Sequence, residues 1–513
     1  MLHPPTRSYW QDTTPLGSFP RLNERLNVDV AIIGGGITGL TSAYILKQSG
    51  MKVAVLEEGL IARGETGRST AHITEILDTR FHALISRFGK KAIQELTAAN
   101  RLAINRVSEI VEELEIDCAF RRLPGFLYAE DPEQANELSA EVEAASTAGV
   151  ELRWTDDVPL PFATHGGLRI ENQAAFHPGA YCHALARAIQ GGGSYVFERS
   201  PVEELVDGEP CQLYSNGTSL SSSFALIATH FPSIRSTYRL SLQTKVAAYR
   251  TYALGARLSR DIPVPGLFWD ASHPYHYSRP HNGIWLIGGS DHKTGHEGED
   301  DGAFARLEDY ARSRFSVSSI PFHWSGQILE TVDGLPYIGL NASSENVYVA
   351  TGFSGNGISY GTLAAMIISD EIREETRRWT DLLSILDPTR IKPLAAARTF
   401  ISENKDYPVQ LVADSIRRIH ATRDPVSEIP RGEARIVQVN GEDVAAYHDE
   451  KGEFHTVSAT CTHLGCQVHW NSAERSWDCP CHGSRFGVDG AVLNGPATRA
   501  LPEIQCVKKT RAA

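Results

Sequence analysis

"VDVAIIGGGITGLTSAYILKQSGMKVAVLE", residues 28–57, sets the architecture of this 513-residue chain. An apolar run, Val28 to Ile33, enters a glycine turn, and a helical pattern follows through Leu40, Ala43, Tyr44 and Leu46. Gly50 stops that pattern, and a second apolar run, Val53 to Leu56, ends at Glu57. The lengths and periods predict strand, turn, helix, strand, with G-x-G-x-x-G at Gly34, Gly36 and Gly39. Gly34 permits the tight turn, Gly36 lets the backbone approach a pyrophosphate, and Gly39 lets helix and strand pack closely. Phosphates are expected on the helix N-terminus, at Ile37 and Thr38, where free N–H groups and the dipole favour anions. Glu57 lies 18 residues past Gly39, at the end of the second strand, where an acid accepts ribose hydroxyls. Glycines alone also make ordinary αβ turns; the flanking strands and the acid favour a dinucleotide, with FAD and NAD undistinguished at this point.

The length suggests about three domains. With 42% hydrophobic and 22% charged residues the composition is that of a globular protein, and the net charge of −13 contains no long run of one sign, which argues against nucleic acid as a partner. No apolar core precedes a cleavage site near the N-terminus, and no run of about 18 apolar residues encodes a membrane span; a cytoplasmic location is the expectation. Cys118, Cys182, Cys211 and Cys506 are scattered singly, which suits buried thiols in a reducing compartment.

The next stretch, "GLIARGETGRSTAHITE" (59–75), resembles the segment after the second strand in the D-amino-acid oxidase superfamily of FAD-dependent oxidoreductases. The resemblance implies that Arg63, Thr66, Gly67, Arg68, Ser69 and Thr70 run along the flavin. A second likeness lies at "LETVDGLPYIG" (329–339) and "NVYVATGFSGNGISYGTLAAMIISDEI" (346–372). There Gly352, Phe353, Ser354, Gly355, Asn356 and Gly357 form a loop between a strand, Val347 to Ala350, and a helix from about Ile358. Such a helix aims its N-terminus at the negative edge of a reduced flavin. By the same resemblance Val202, in "SPVEELVDGEP", sits near the adenine, and "ALIATHFP" (225–232), with Thr229, returns to the nucleotide. From residue 245 to about 330 longer β segments follow, with Asn282-Gly283 as a two-residue hairpin turn; the superfamily uses such an antiparallel sheet as its substrate domain.

Family members remove a hydride from the carbon beside an amine, so an amine or amino acid is the implied substrate. Catalytic residues are not assigned; Tyr249, Arg250, Tyr275, His276, Tyr277 and Arg279 on the β segments are the candidates, an arginine being able to clamp a carboxylate bidentately or simply to pair with a neighbouring acid. His72 in "STAH" occupies the place where the dimethylglycine dehydrogenases attach flavin covalently. Those relatives have tryptophan before the histidine, where Ala71 stands here, and a histidine that merely lines the site is the alternative.

Near the other end, "ATCTHLGCQVHWNSAERSWDCPCHGSRFG" (459–487) holds four cysteines and three histidines. Zinc, disulfides and an iron–sulfur cluster are all open to such a cluster. Cys461-x-His463 and Cys479-x-x-His482 each offer one sulfur and one nitrogen, unlike the pairing of like residues common in four-ligand zinc sites. The stretch resembles the Rieske type of [2Fe–2S] protein, cytochrome bc subtype. That resemblance implies Cys461 and Cys479 on one iron, His463 and His482 on the other, and a Cys466–Cys481 disulfide between the loops. His469 has no place in the pattern and reads as a surface or strand residue. In that subtype a serine and a tyrosine hydroxyl bond to the cluster sulfurs; here Ser484 is present, but Phe486 stands where the tyrosine would be.

The expected fold class is therefore α/β plus all-β: an FAD-binding Rossmann-like domain of the glutathione-reductase type with an antiparallel β substrate domain, then a small all-β Rieske domain. The expected boundaries are an N-terminal extension 1–27, an oxidoreductase region 28–380, a helical connector 381–424 interrupted by Pro388, Pro393 and Pro408, and a Rieske domain 425–513. A hydride-accepting flavin and a one-electron cluster in one chain suggest a relay from substrate through FAD and cluster to an external acceptor. The alternatives are that the cluster feeds the flavin, or that it is structural or redox-sensing.

Overall fold

The computed structural model describes residues 6–15, 17–232, 234, 242, 245–260, 262, 265–296, 302–390 and 426–505. Leu26–Ile33 forms the centre of a sheet, paired in parallel with Val53–Leu56 on one side and Thr218–Ile227 on the other. Tyr195–Phe197 and Val347–Thr351 extend it in parallel, and Tyr337–Leu340 closes one edge antiparallel. Parallel strands need crossovers, and the first is the helix Ile37–Gln48, buried on nearly every face. It packs against Gly357–Ile372, which is equally buried; a helix apolar all round belongs in a core.

The second sheet runs in the order Val317–Thr331, Val246–Leu258, Ile284–Lys293, Tyr277–His281, Leu267–Asp270, Arg121–Tyr128, Gly167–Ala175, His72–Ile73. It is antiparallel except where Leu267–Asp270 meets Arg121–Tyr128. Asn282 and Gly283 both have positive φ, 46° and 76°, and join the paired His281 and Ile284, as the hairpin prediction requires. The sheet is wider than the stretch 245–330, because strands from the first third of the chain complete it.

Within the stretch 1–27, expected as an extension, Ser8, Tyr9, Trp10, Thr14 and Leu22 are buried in the body. Trp10, in the helix Tyr9–Thr13, is 1% exposed and its indole N–H donates to the Ser69 carbonyl at 2.6 Å. The connector begins as the helix Thr380–Leu386, and Arg390 then forms a buried bidentate pair with Asp333. Its remainder, with Pro393 and Pro408, lies outside the described residues.

The C-terminal part is all antiparallel β. Ala434–Val439, Glu442–His448 and Phe454–Ser458 form one sheet; His469–Asn471, Ser476–Asp478, Arg485–Phe486 and Val492–Asn494 form another. Trp477, Phe486 and Val457 centre a core separate from that of the larger sheets. The fold class is the expected one.

Candidate active site and cluster loops

A cavity of about 850 Å³ is lined from both large sheets. Its inner end is backbone. A Cβ on Gly34 would stand 2.4 Å from the Ala228 carbonyl oxygen, and one on Gly39 only 2.0 Å from the Gly34 oxygen. Gly39 therefore serves packing and does not line the cavity, whereas Gly34, Gly36, Ile37 and Thr38 do. No side chain caps the helix at Gly36; Thr66 Oγ1 accepts from the Ile37 N–H at 3.1 Å. The Glu57 carboxylate accepts from the N–H groups of Gly35 (2.7 Å) and Gly59 (2.8 Å), and burial pushes its pKa up to about 7.

Thr66, Arg68, Ser69, Thr70 and His72 continue the wall, with Val202 and Thr229 beside it and Phe353 to Gly357 opposite. Arg63 and Gly67 stand behind it. The Arg63 guanidinium donates to the Gln11 and Thr14 carbonyls, and a Cβ on Gly67 would meet the Ala62 oxygen at 2.0 Å. Gly352, φ +75°, likewise shapes the loop from outside the lining, pressed on Thr331.

The substrate candidates separate sharply. Tyr275 and Tyr277 line the cavity. Arg250 and Arg279 do not, because each is consumed in the interior. Arg279 donates to the carbonyls of Thr70 and Phe176, and Arg250, 0% exposed, donates to Ser325 Oγ and pairs with Glu474 at 3.7 Å. Neither is on the lining to clamp a carboxylate there, and Arg250 takes the other reading, a pair with an acid. Tyr249 is off the lining, and His276 is bonded to Asp270 and stacked on Tyr310. His72 lines the cavity with Nδ1 facing Thr70 Oγ1 (3.0 Å) and Nε2 facing the Ser278 carbonyl (3.3 Å); burial drives its pKa down to about 3, keeping the ring neutral. Sequence reading missed Asp78, Arg80, Thr251, Trp269, Asp291 and Gln327, all on the wall, since nothing local marks them.

In the C-terminal part, the loops carrying Cys461–His463 and Cys479–His482 meet. Both thiols are buried, and a hydrogen bond from the Cys479 thiol lowers the pKa of Cys461. The rings of His463 and His482 lie 5.0 Å apart, edge to face. Two adjacent thiols and two adjacent imidazoles are the donor set a Rieske [2Fe–2S] cluster takes. The Cys466–Cys481 disulfide ties the loops together. The Ser484 hydroxyl bonds to Cys461 and accepts from the Ala497 N–H at 3.0 Å, while Phe486 is fully buried and offers no donor. His469 is a strand residue, as read, but not a surface one: it is 5% exposed and its Nδ1 donates to the Gly295 carbonyl at 2.7 Å.

That last contact belongs to a junction between the two parts. A Cβ on Gly295 would stand 2.6 Å from Pro480 N, and one on Gly483 2.2 Å from Ala248 Cβ, so close approach requires glycine on both sides. Gln327 Nε2 donates to the Gly483 carbonyl at 2.9 Å, and Asn494 Nδ2 donates to Glu65 Oε1 at 3.1 Å. Burial alone would raise the Glu65 pKa, but His230, Arg68 and Arg250 hold it below the usual range. A buried ion chain runs Arg250, Glu474, Arg485, Asp478. Residues 492–495 and 497–499 line the same cavity as the glycine turns.

Residues 29–371 match the family of FAD dependent oxidoreductases, and residues 422–506 match the Rieske [2Fe-2S] domain. The putative Rieske 2Fe-2S iron-sulfur protein YhfW of Bacillus subtilis is 33% identical over 97% of this chain and 97% of its own length. The gamma-glutamylputrescine oxidoreductase of Escherichia coli is 24% identical over 73% of this chain and 90% of its own. Among solved structures, glycine oxidase from Geobacillus kaustophilus superposes with a TM-score of 0.59 at 20% identity, over 71% of this chain and 99% of that one. Among the described residues no helix is long and apolar enough to cross a membrane.

Proposed function

Since the chain belongs to the FAD dependent oxidoreductase family and carries a Rieske [2Fe–2S] domain, we propose that it oxidises a small amine or amino acid and passes the electrons from FAD through the cluster to an external acceptor. The observation that carries this reading is the shared wall. The segment 492–499 lines the cavity with the glycine turns, and its Ala497 N–H holds Ser484, whose hydroxyl bonds to Cys461. Bound FAD supplies hydride acceptance and the cluster supplies one-electron transfer.

The chain's residues supply the rest. Gly34 and Gly36 would open the floor to the pyrophosphate, with Ile37, whose N–H is held by Thr66 Oγ1, and Thr38 beside it at the helix N-terminus, and Glu57 would accept from the ribose. Ser69, Thr70 and the Gly355–Gly357 turn flank the ring, with Val202 and Thr229 towards the adenine. Neutral His72, held by Thr70 and Ser278, lines the site without carrying the flavin. Cys461, Cys479, His463 and His482 hold the cluster, and Cys466–Cys481 braces the loops. The name of the Escherichia coli relative, a gamma-glutamylputrescine oxidoreductase, supports an amine donor.

Anaerobic titration with a panel of primary and secondary amines and amino acids tests the reading. The flavin absorbance should bleach and the reduced-cluster EPR signal should rise with it. A bleached flavin beside an oxidised cluster would remove the relay.

A further inference from the structure

The strand Ile284–Lys293 is interrupted where it crosses the cavity. Its pairing with Val246–Leu258 matches Arg250 to His292 and Tyr252 to Gly289, so Ser290 and Asp291 together oppose the single residue Thr251. This is a β-bulge, a device that re-aims a side chain. Ser290 takes φ 58°, a left-handed conformation uncommon outside glycine, and Gly289 takes φ 148°. The bulge turns Asp291 onto the cavity wall between Thr251 and Tyr277. The Thr251 hydroxyl is shared with Tyr277, 2.7 Å away, and bonds to the Asp291 carboxyl. Asp291 Oδ1 is buried and has no hydrogen-bond partner among the described residues. A buried carboxyl oxygen without a partner is costly, and backbone strain of this kind gathers at functional sites.

Resting on the amine-oxidation reading, we propose that Asp291 receives the protonated nitrogen of the substrate and accepts its proton, so that the enzyme selects ammonium compounds with at least one N–H over quaternary ones. The step balances as follows. One N–H proton passes from the ammonium to the Asp291 carboxylate, leaving a neutral amine. The C–H bond beside the nitrogen then breaks with its electron pair leaving as hydride for FAD, and the nitrogen lone pair forms the C=N bond. Water hydrolyses the resulting iminium to a carbonyl compound and the released amine or ammonia.

The surroundings suit the role. Burial pushes the Asp291 carboxyl up to about 7, Thr251 opposes that shift, Asp78 adds to it and His276 opposes it. Tyr275 and Tyr277 face the same carboxyl, and burial holds both phenols neutral. Asp291 is therefore a carboxylate above about pH 7 and a carboxylic acid below it, within the range a general base needs.

The test uses the holoenzyme with wild type, Asp291→Asn and Asp291→Glu, each checked for wild-type flavin and cluster absorption. tert-Butylamine has no hydrogen on the carbon bearing nitrogen and cannot be oxidised. At pH 8 it should raise the melting temperature of wild type, leave D291N unmoved and act on D291E in part. With an amine that bleaches wild-type flavin anaerobically, D291N should reduce about 100-fold more slowly or worse, the usual contribution of a general base. It should also lose the rise in rate through pH 7, and D291E should restore that rise at a shifted pH. An unchanged pH profile in D291N, or a melting shift indifferent to the substitution, overturns the assignment. If no amine bleaches wild type while tert-butylamine still binds through Asp291, the ammonium site stands and the oxidation reading falls.

Discussion

The two ends of the molecule grip their cofactors by opposite means. The dinucleotide end works by omission: Gly34, Gly36 and Gly39 leave out side chains so that backbone can be approached, and a Cβ at Gly39 would overlap the Gly34 oxygen at 2.0 Å. The cluster end works by presence, with two thiols and two imidazoles set on two loops and clamped by a disulfide. Omission leaves affinity spread over many N–H groups, so single losses are graded. Presence concentrates it in four side chains, so one loss is total.

Substituting the cluster end should therefore give the largest effect. Cys461→Ser is expected to abolish the reduced-cluster EPR signal while the flavin spectrum and its bleaching by substrate persist. Turnover should fail with the natural acceptor and survive with artificial ones; failure with both would make the cluster structural.

Next comes the junction that joins the two grips. Glu474→Gln leaves Arg250 and Arg485 buried without their shared carboxylate, and breaking a buried pair costs about 3 kcal/mol. The melting temperature should fall, and reduction of the cluster after flavin bleaching should slow in stopped-flow traces.

Gly39→Ala tests the graded end. Overpacking against backbone costs of order 2 kcal/mol, and the flavin-to-cluster ratio of the purified protein should drop with the cluster signal kept. Phe486→Tyr restores the missing hydroxyl. A hydrogen bond to a charged acceptor is worth about 1.5 kcal/mol, which for one electron raises the cluster potential by about 60 mV, read by EPR-monitored redox titration. Ser484→Ala should lower it comparably, since Ser484 bonds to Cys461.

The smallest effect concerns Glu57. Its carboxyl is raised from 4.5 to about 7 by burial, so the flavin-free fold takes up a proton that the unfolded chain does not. That contribution is full below pH 4.5 and is lost as pH rises to 7. Ribose hydroxyls donate to the carboxylate form, so FAD affinity should rise with pH, by roughly threefold between pH 6.5 and 7.5, measured by flavin fluorescence quenching.

Both grips are legible in the sequence because each is local: Gly34 to Gly39 and Glu57 fall within one βαβ unit, and the four residues proposed as cluster ligands within two short loops. Tyr275 and Tyr277, both candidates on the β segments, do line the cavity. Arg250 and Arg279 misled because a strand's alternation says which face a side chain takes, not whether that face meets the cavity or the interior. Arg250 points into the junction, whose other members, Glu474, Arg485 and Asp478, lie over 200 residues away. Asp291 was hidden by the bulge, which breaks the period-two rule at that point. Gly295 carried no signal, and Gly483, though inside the cluster motif, gave none of its contact with Ala248.

The shared wall also orders assembly in time. Thr6 Oγ1 bonds to Glu474 at 3.0 Å, so the first described residues of the chain close against a segment 468 positions later. Residues 492–495 and 497–499 follow every other lining residue in the sequence and are the last part of the cavity wall to be synthesised. The wall shared by the two parts is thus complete only once the cluster-bearing part has been made.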